Sequence, residues 1–469
     1  MSAPTPRPSP ATASGFKGII GVARADITPP IGIYSRNWGA AKHDCADGIH
    51  RPLELSALTL QEKQDSAPLV IVSMDLGWWK DPADELALRN AVLDALKIPR
   101  ERVLMCLTHT HAGPSVARLD AEKPGGHLIT PYFREVIESA VFAARRALAN
   151  ARPGVLEWAH GHCDLAQNRD LPDPEKGGKD ARYICGFAHA TPDASDTTLL
   201  FGRVTDTRGS VMATLVNYAC HPTTLAWDNH LISPDFCGAM REVIERETSG
   251  APCLFLQGAS GELAPREQYT GDLEIAEKNG RQLGYAALAA LQGMLPPATE
   301  LAFSGAVESG APLATWQRKA AALSSTLKAT CVDVELPLVD MPSIAEIERD
   351  LAACNDRVMG ERLRRKRGVR QTVGEGKVSR MPLWLWQVGG ALLAAQPNEA
   401  YSQFQIAVRR KFPDRAVAVM NLVNGSCGYL APRELYAHNI YQVWQSPFQA
   451  GGLELLIQKT IQELEGLSR

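Results

Sequence analysis

Long apolar runs are absent from this sequence of 469 residues, and no stretch approaches the roughly 20 apolar residues that a membrane-spanning helix needs. An excess of basic residues is absent as well, because 49 Lys and Arg stand against 52 Asp and Glu, for a formal net charge of −3. These two absences predict a chain without stable membrane insertion and without a nucleic-acid partner.

Cysteine pairs at CxxC spacing are also absent, although the chain contains 10 cysteines. In a chain of this length, scattered cysteines indicate reduced and mostly buried thiols rather than a disulfide framework. Residues 1–15, MSAPTPRPSPATASG, lack the apolar core of a secretion signal, and their composition predicts a disordered tail. We therefore expect a cytoplasmic protein.

The remaining sequence alternates between strand and helix patterns, which is typical of an α/β protein. APLVIVSMDL, residues 67–76, is a continuous apolar run, as a strand buried on both faces requires. PADELALRNAVLDALK, residues 82–97, places Leu88 and Val92 on one face at helical spacing. Residues 16–469 are predicted to form one large catalytic domain, with a mixed β-sheet core flanked by helices. The oligomeric state stays open.

The strand and helix pattern weakens between residues 300 and 380. This region includes a basic run, RLRRKRGVR, at residues 362–370 on a predicted helix. Isolated charge runs mark solvated helix faces far more often than nucleic-acid contacts. We interpret this run as a solvated face.

Side chains that can bind a metal recur directly after predicted strands. Such residues follow RVLMC, VMATLVNYAC, ALLAAQPN and VAVMNLVNGSCG, and they are His109 with His111, His221, Glu399 and Tyr429. In open α/β sheets, ligands bind beyond the carboxyl ends of the strands. These segments are therefore predicted to converge on one crevice.

The spacing of His109 and His111 places both imidazoles on the same side of an extended chain. Neutral imidazole and carboxylate are normal zinc ligands, and zinc lowers the pKa of a bound water and polarises carbonyl groups. This spacing alone does not decide between a metal site and histidines that cap a strand end. It also does not decide among divalent metals.

Four other residues have a structural and a functional interpretation. Asp75 either orients a histidine or holds a turn after VIVSM, and Asp26 in ADITPP is expected in a turn or cap. Trp384 and Trp386 share one face of a predicted strand and either line an apolar pocket or pack within the sheet. We favour the structural interpretation for all four.

A series of motifs occurs in a fixed order along the chain: GVARADITPP, VIVSMD, THTHAGP, NYACHPTTL, LISPDFCGAM, QGASGELAP, QPNEAYSQF and NGSCGYLAPRELY. In this order they resemble the neutral (non-lysosomal) ceramidase family, over blocks from about Gly21 to Tyr441. The resemblance is weak between residues 300 and 380. It implies a zinc-dependent amidase, since the family cleaves the N-acyl bond of ceramide. The expected partner is a small-molecule N-acyl amide.

The resemblance also implies a zinc site made of two histidines, a glutamate and a tyrosine. The matching residues here are His109, His221, Glu399 and Tyr429. Each has an alternative role: His221 as a polar residue before a proline, Glu399 as a helix N-terminal carboxylate, and Tyr429 as a packed aromatic ring.

Three further residues match the active site of the family: His111, Arg169 in QNRD, and Tyr441. In the implied mechanism a metal-activated water attacks the amide carbonyl. His111 carries a proton to the leaving amine, while Arg169 and Tyr441 donate hydrogen bonds to the oxyanion or to a polar group of the substrate. A structural role beside the metal is the alternative for His111.

The sequence departs from the family at one motif, where GELAP replaces Gly-Asp-Val-Ser-Pro and Ala264 takes the place of the serine. A serine nucleophile at that position is therefore excluded. The chain also ends soon after the last motif, without room for the family's immunoglobulin-like domain, and it lacks a secretion signal. We therefore expect a substrate other than ceramide.

Two other functions stay open. The same zinc site suits ester or lactone hydrolysis, because those reactions also pass through a tetrahedral oxyanion. The loss of the serine also allows a non-catalytic binding protein on a ceramidase-like fold.

Overall fold

The computed structural model describes residues 15–187 and 195–469. All but the last residue of the expected disordered tail, residues 1–15, lies outside these ranges. Among the described helices, none is both long enough and apolar enough to cross a bilayer.

The described part of the chain contains nine α-helices. Their bounds are α1 (Pro82–Leu96), α2 (Ile129–Ala149), α3 (Phe236–Glu247), α4 (Leu273–Gln292), α5 (Ile344–Ala353), α6 (Arg357–Val373), α7 (Gln403–Lys411), α8 (Tyr441–Trp444) and α9 (Gly452–Leu467).

The strands include long strands in the core sheets and short strands of two residues. Their bounds are β1 (Phe16–Asp26), β2 (Gly48–Ile49), β3 (Glu54–Gln61), β4 (Leu69–Met74), β5 (Val103–Leu107), β6 (Arg152–His162), β7 (Ala166–Asn168), β8 (Asp170–Pro172), β9 (Tyr183–Cys185), β10 (Thr198–Asp206), β11 (Val211–Tyr218), β12 (Leu231–Ile232), β13 (Cys253–Gln257), β14 (Leu263–Pro265), β15 (Thr299–Glu308), β16 (Pro312–Ala320), β17 (Leu327–Pro337), β18 (Val378–Val388), β19 (Ala391–Ala395), β20 (Glu399–Ala400), β21 (Val417–Met420) and β22 (Tyr429–Leu430).

Two sheets form the core, and both are mixed. The larger has eight strands in the order β13-β11-β10-β6-β1-β3-β4-β5, with parallel pairs only at its edges, β11 with β13 and β4 with β5. The smaller has four strands in the order β17-β18-β19-β21, and β19 runs parallel to β21. This arrangement confirms the predicted mixed sheet.

The two sheets pack face to face around a shared apolar core. Leu58 and Leu104 from the larger sheet belong to the same buried cluster as Trp386 and Leu393 from the smaller sheet. Trp384 belongs to this cluster as well. The indole N–H groups of Trp384 and Trp386 donate to the carbonyl oxygens at residues 100 and 101, at 3.1 and 2.7 Å. Both tryptophans therefore pack within the sheet, as expected.

Helices cover the outer faces of both sheets, which gives four layers. α1 and α2 cover one half of the larger sheet, and α3 and α4 cover the other half. α7 and α9 cover the smaller sheet. Each of these helices buries one face against a sheet. In α1 that face includes Asp84, Glu85 and Arg89 beside Leu88 and Val92.

The region between residues 300 and 380, which the sequence pattern left uncertain, contributes to three parts of the molecule. It supplies the hairpin β15–β16, the edge strand β17, and the helices α5 and α6. The basic run lies in α6, as predicted. This helix begins after Asp356, whose side chain accepts from the N–H of Met359, and ends before Gly374, which has a φ of +81°.

A buried ion pair joins the larger sheet to α3. Asp75, directly after β4, accepts three hydrogen bonds from the guanidinium of Arg241 at 2.7, 2.9 and 2.9 Å, and a fourth from the N–H of Glu54 at 2.8 Å. The side chain of Asp75 is fully buried. Asp75 therefore holds α3 against the larger sheet. Its side chain forms no hydrogen bond with a histidine in the described part of the chain.

Replacing Asp75 with alanine should lower the free energy of unfolding by about 3 kcal/mol, because it leaves the buried Arg241 without its main partner. Urea denaturation would measure this loss. Asp414→Ala, at an exposed aspartate, serves as the control and should change the free energy by about 0.5 kcal/mol or less. Equal effects of the two substitutions would contradict a structural role for the pair.

Candidate metal centre

His109 lies two residues beyond β5 in a constrained backbone conformation. Its φ of 70° falls in the left-handed region that non-glycine residues seldom adopt. Its N–H donates to the carbonyl oxygen of Leu76 at 2.9 Å, and its Nδ1 lies 3.0 Å from the carbonyl oxygen of Gly77. Since a carbonyl only accepts, Nδ1 carries the proton and Nε2 keeps a free lone pair.

His221, three residues beyond β11, is fixed in the same tautomer. Its Nδ1 lies 2.6 Å from the carbonyl oxygen of Ser260 and 3.2 Å from that of Leu263, so this nitrogen also carries the proton. Burial, together with the charge of Arg169, lowers the pKa of His221 to about 3. The ring is therefore neutral near pH 7, with its lone pair on Nε2.

Glu399 and Tyr429 are brought together by strand register. They form the two-residue parallel strands β20 and β22 and lie opposite each other. Gly261 supports this pair, because its N–H donates to the carbonyl oxygen of Ala400 at 3.0 Å. A Cβ atom at Gly261 would lie 2.8 Å from the carbonyl oxygen of Glu399, so this close approach requires glycine.

Three hydrogen-bond acceptors meet at the centre of these segments. Glu399 Oε2 lies 2.9 Å from His221 Nε2 and 3.5 Å from His109 Nε2. Neither nitrogen carries a proton in the tautomer that the carbonyl contacts impose, so these lone pairs face one another. A cation relieves that repulsion. Tetrahedral ligands of zinc, at about 2.0–2.1 Å from the metal, lie about 3.3 Å apart, which agrees with both distances.

His111 lies next to this cluster but is held differently. Its Nε2 is 3.5 Å from that of His109, and the ligand atoms of the three histidines His109, His111 and His221 all lie within 4.8 Å of one another. Its ring lies 5.0 Å from the ring of Trp38 and 4.9 Å from that of Trp78. Its Nδ1 is buried and has no hydrogen-bond partner in the described part of the chain.

Burial and the neighbouring histidines His109 and His221 hold the pKa of His111 well below its ordinary value. The imidazole is therefore neutral, and no main-chain carbonyl fixes its tautomer, since Nδ1 has no partner in the described part of the chain and Nε2 contacts only Nε2 of His109 at 3.5 Å. This freedom distinguishes His111 from the other two histidines.

Arg169 is buried beside the acceptor cluster. Its Nη2 donates to the carbonyl oxygen of Gly261 at 2.9 Å and to the hydroxyl of Tyr429 at 3.2 Å. Nη2 of Arg169 also lies 3.2 Å from Nε2 of His221. A cation bound by Nε2 of His221 would replace this contact. Nε of Arg169 has no partner among the described residues, so a donor remains for another oxygen.

Tyr441 lies at the start of α8, where it lines a cavity of about 290 Å³ that reaches Glu399. Its hydroxyl accepts a hydrogen bond from Nη1 of Arg365 at 2.9 Å, and its ring lies 5.7 Å from that of Tyr429. The tyrosine hydroxyl thus keeps its own proton for another acceptor.

All seven residues singled out from the sequence lie in or beside this one region, but sequence reasoning missed the aromatic wall. Trp78 in DLGWWK follows β4, and the histidines were identified because they follow strands. The same rule could therefore have identified Trp78. Trp38 lies in the loop between β1 and β2 and carries no such signal. Both rings pack against the ring of His111.

The GELAP motif has a structural role close to the centre. Ala264 is buried in β14 opposite Gln167 and offers no hydroxyl. The carboxylate of Glu262 accepts hydrogen bonds from the N–H and the hydroxyl of Ser402. Glu262 therefore ties this motif to the segment that carries Glu399.

The stability of this connection should depend on pH. Burial raises the pKa of Glu262 to about 8, against the hydrogen bonds from Ser402, which lower it. Since the unfolded carboxyl has a pKa of about 4.3, the folded protein binds the extra proton, and this stabilisation is lost as pH rises towards 8. The glutamine side chain of the Glu262→Gln variant cannot titrate. The free energy of unfolding of this variant should therefore rise relative to that of the unmodified protein between pH 5 and pH 9.

Urea denaturation across this pH range would measure the difference, and each unit of pKa shift corresponds to about 1.4 kcal/mol. Glu434→Gln, at an exposed glutamate, is the matched control and should show no such trend. Parallel curves for Glu262→Gln and the unmodified protein would contradict the raised pKa.

Comparison with known proteins agrees with the family resemblance. A family model described as neutral/alkaline non-lysosomal ceramidase, N-terminal, matches residues 19–263, more than half of the chain. His109, His111, Arg169 and His221 fall within the matched range. Neutral ceramidase of Pseudomonas aeruginosa is 26% identical over 292 residues, 59% of this chain and 41% of that protein. The chain thus spans about two fifths of the length of this curated relative.

Two solved structures share the fold. A ceramidase complexed with C2 superimposes with a TM-score of 0.68 at 18% identity, covering 96% of this chain and 75% of the other. A crystal structure of neutral ceramidase from Pseudomonas aeruginosa gives a TM-score of 0.67 at 17% identity, covering 96% and 74%. The length of the family match, together with this shared fold, shows that the chain belongs to the neutral/alkaline non-lysosomal ceramidase family.

Proposed function

We propose that the chain is a zinc-dependent hydrolase that cleaves an N-acyl amide bond in a small molecule other than ceramide. The observation that carries this proposal is the meeting of three lone-pair acceptors, from His109, His221 and Glu399, at 2.9 and 3.5 Å. Family membership supports amide hydrolysis as the reaction. Ceramide is neutral, whereas the cavity beside the site is lined by several arginines.

His109, His221, Glu399 and Tyr429 would hold the metal. Ligating histidines usually donate their second ring N–H to a carbonyl or carboxylate, as His109 and His221 do and as His111 does not. Zinc held by these residues would supply a water of lowered pKa and polarise the carbonyl of the substrate.

His111 would move the proton. Its neutral ring, without a fixed tautomer, can accept a proton at one nitrogen and deliver it to the leaving amine. Trp38 and Trp78 pack against this ring and hold it in place. Arg169 would donate its free Nε–H to the oxyanion, and Tyr441 would donate its hydroxyl proton to a polar group of the substrate.

Elemental analysis tests the metal site. Protein purified without added metal or a metal-binding tag should contain about one zinc per chain. His221→Ala should lose this zinc, because it removes a ligand whose orientation is fixed by two carbonyl contacts. His127→Ala, at an exposed histidine, should keep it. A folded protein that contains no metal and takes up no added zinc would contradict the proposal.

Fatty-acid release from N-lauroyl amides tests the reaction and the role of His111. His111→Ala should lower kcat roughly 10²- to 10⁴-fold while the zinc content stays at the level of the unmodified protein. Loss of zinc from this variant would instead make His111 a ligand. Hydrolysis of a matched lauroyl ester with no hydrolysis of the amides would assign an esterase.

A further inference from the structure

One wall of the cavity beside the metal centre is formed by α6. Arg362, Arg364 and Arg365 from this helix line the same cavity that Glu399 reaches. The sequence indicated a solvated helix face for this basic run, but three of its arginines also line the cavity. Charge runs look alike in sequence whether they face bulk water or a cavity, and the packing of α6 decides between the two.

The helix is held tightly against the site. A Cβ atom at Gly368 of α6 would lie 2.3 Å from the carbonyl oxygen of Lys80, so the two backbones approach as closely as glycine allows. Lys80 lies two residues after Trp78, which flanks His111. This contact joins the arginine wall directly to the aromatic wall.

In the described part of the chain the three arginines form no ion pair with a carboxylate, although the carboxylate of Glu399 lines the same cavity. Among the other charged residues of the cavity, Arg36 pairs with Glu361 at 3.1 Å and Lys80 with Asp120 at 3.1 Å. None of the three arginines has a carboxylate within 4.0 Å in the described ranges, 15–187 and 195–469. By contrast, Arg367 of the same helix points away from the cavity and pairs with Glu348 at 3.1 Å.

Unpaired guanidinium groups in a concave site favour an anionic ligand. Guanidinium binds carboxylate and phosphate through strong, directional hydrogen bonds, and low-dielectric walls strengthen the attraction. Arg365 already orients a polar contact there, through the hydroxyl of Tyr441 at 2.9 Å. Trp78 and Trp444 line the same cavity and offer an apolar surface.

We propose that this cavity selects N-acyl amides that carry a negatively charged group, a carboxylate or a phosphate. Arg365, with Arg362 and Arg364, binds the anionic oxygens, and the tryptophans contact the apolar part of the substrate. This inference rests on the proposed amide hydrolysis for its substrate, but the anion site itself does not depend on turnover.

Matched substrates test the selection. The set comprises neutral N-lauroylethanolamine, N-lauroylglycine, N-lauroyl-O-phosphoethanolamine, and the monoethanolamide of dodecanedioic acid, which moves the carboxylate to the acyl side. At least one anionic substrate should exceed the neutral one in kcat/KM by about tenfold or more. The comparison among them identifies the preferred anion and its side of the amide.

Variants on α6 connect this preference to the arginines. Arg365→Gln should reduce the ratio of anionic to neutral kcat/KM by about tenfold, mainly through KM, and Arg365→Lys should restore part of it. Arg367→Gln, the same change on the same helix, should leave the ratio unchanged. Hydrolysis with no anionic preference, or a preference that survives Arg365→Gln, would overturn the inference while the proposed function stands.

A binding measurement separates the two proposals. Calorimetric titration with 4-phenylbutane-1-sulfonate and with neutral 4-phenylbutan-1-ol requires no hydrolysis. Tighter binding of the sulfonate, lost in Arg365→Gln and kept in Arg367→Gln, would support the anion site even if no amide were cleaved. Equal binding of the two compounds would overturn it.

Discussion

Two hydrogen bonds from histidine rings to backbone carbonyl oxygens are the constraint on which the site depends. The carbonyl groups of Gly77 and Ser260 fix the protons of His109 and His221 on Nδ1, and so direct both Nε2 lone pairs towards Glu399. A carbonyl has no proton to give, so the tautomer is set by the main chain and not by solution pH. The fold therefore presents a cluster of acceptors, which is the electrostatic requirement for binding a cation.

The arrangement of the sheets explains how the acceptors meet. The two edges of the larger sheet lie close together, because the hydroxyl of Ser73 on β4 donates to the carbonyl oxygen of Phe255 on β13 at 2.7 Å. The loops after β5 and β11 contact each other, since the N–H of His111 donates to the carbonyl oxygen of Pro222 at 3.3 Å. The in-register pairing of β20 with β22 then adds Glu399 and Tyr429. Gly261 permits this last approach because any side chain there would collide with the carbonyl oxygen of Glu399.

The sequence predicted the parts of this structure that depend on local pattern. The continuous apolar run of β4 and the one-sided pattern of α1 are direct consequences of burial, and both elements formed as predicted. The edge strand β17 escaped prediction because most of its side chains are only partly buried and its pattern is irregular. Its identity as a strand depends on pairing with β18, a contact distant in sequence.

The same division applies to the site. The rule that ligands follow strands identified His109 and His221 from the sequence. No local pattern predicts that Glu399, 178 residues after His221, lies 2.9 Å from it. The charge run in α6 was identified, but the surroundings of Arg365 were not. The direction of its side chain follows from the docking of Gly368 against Lys80, which is a tertiary contact.

The position of the acceptor cluster between the two sheets also bears on how the protein folds. His109 and His221 belong to the loops of the larger sheet, whereas Glu399 and Tyr429 belong to those of the smaller sheet. No part of the chain can assemble the cluster before the two sheets have docked, and closing contacts of such long sequence separation is slow. The cluster therefore forms only once the two sheets have docked, and a cation bound there would link loops from both sheets.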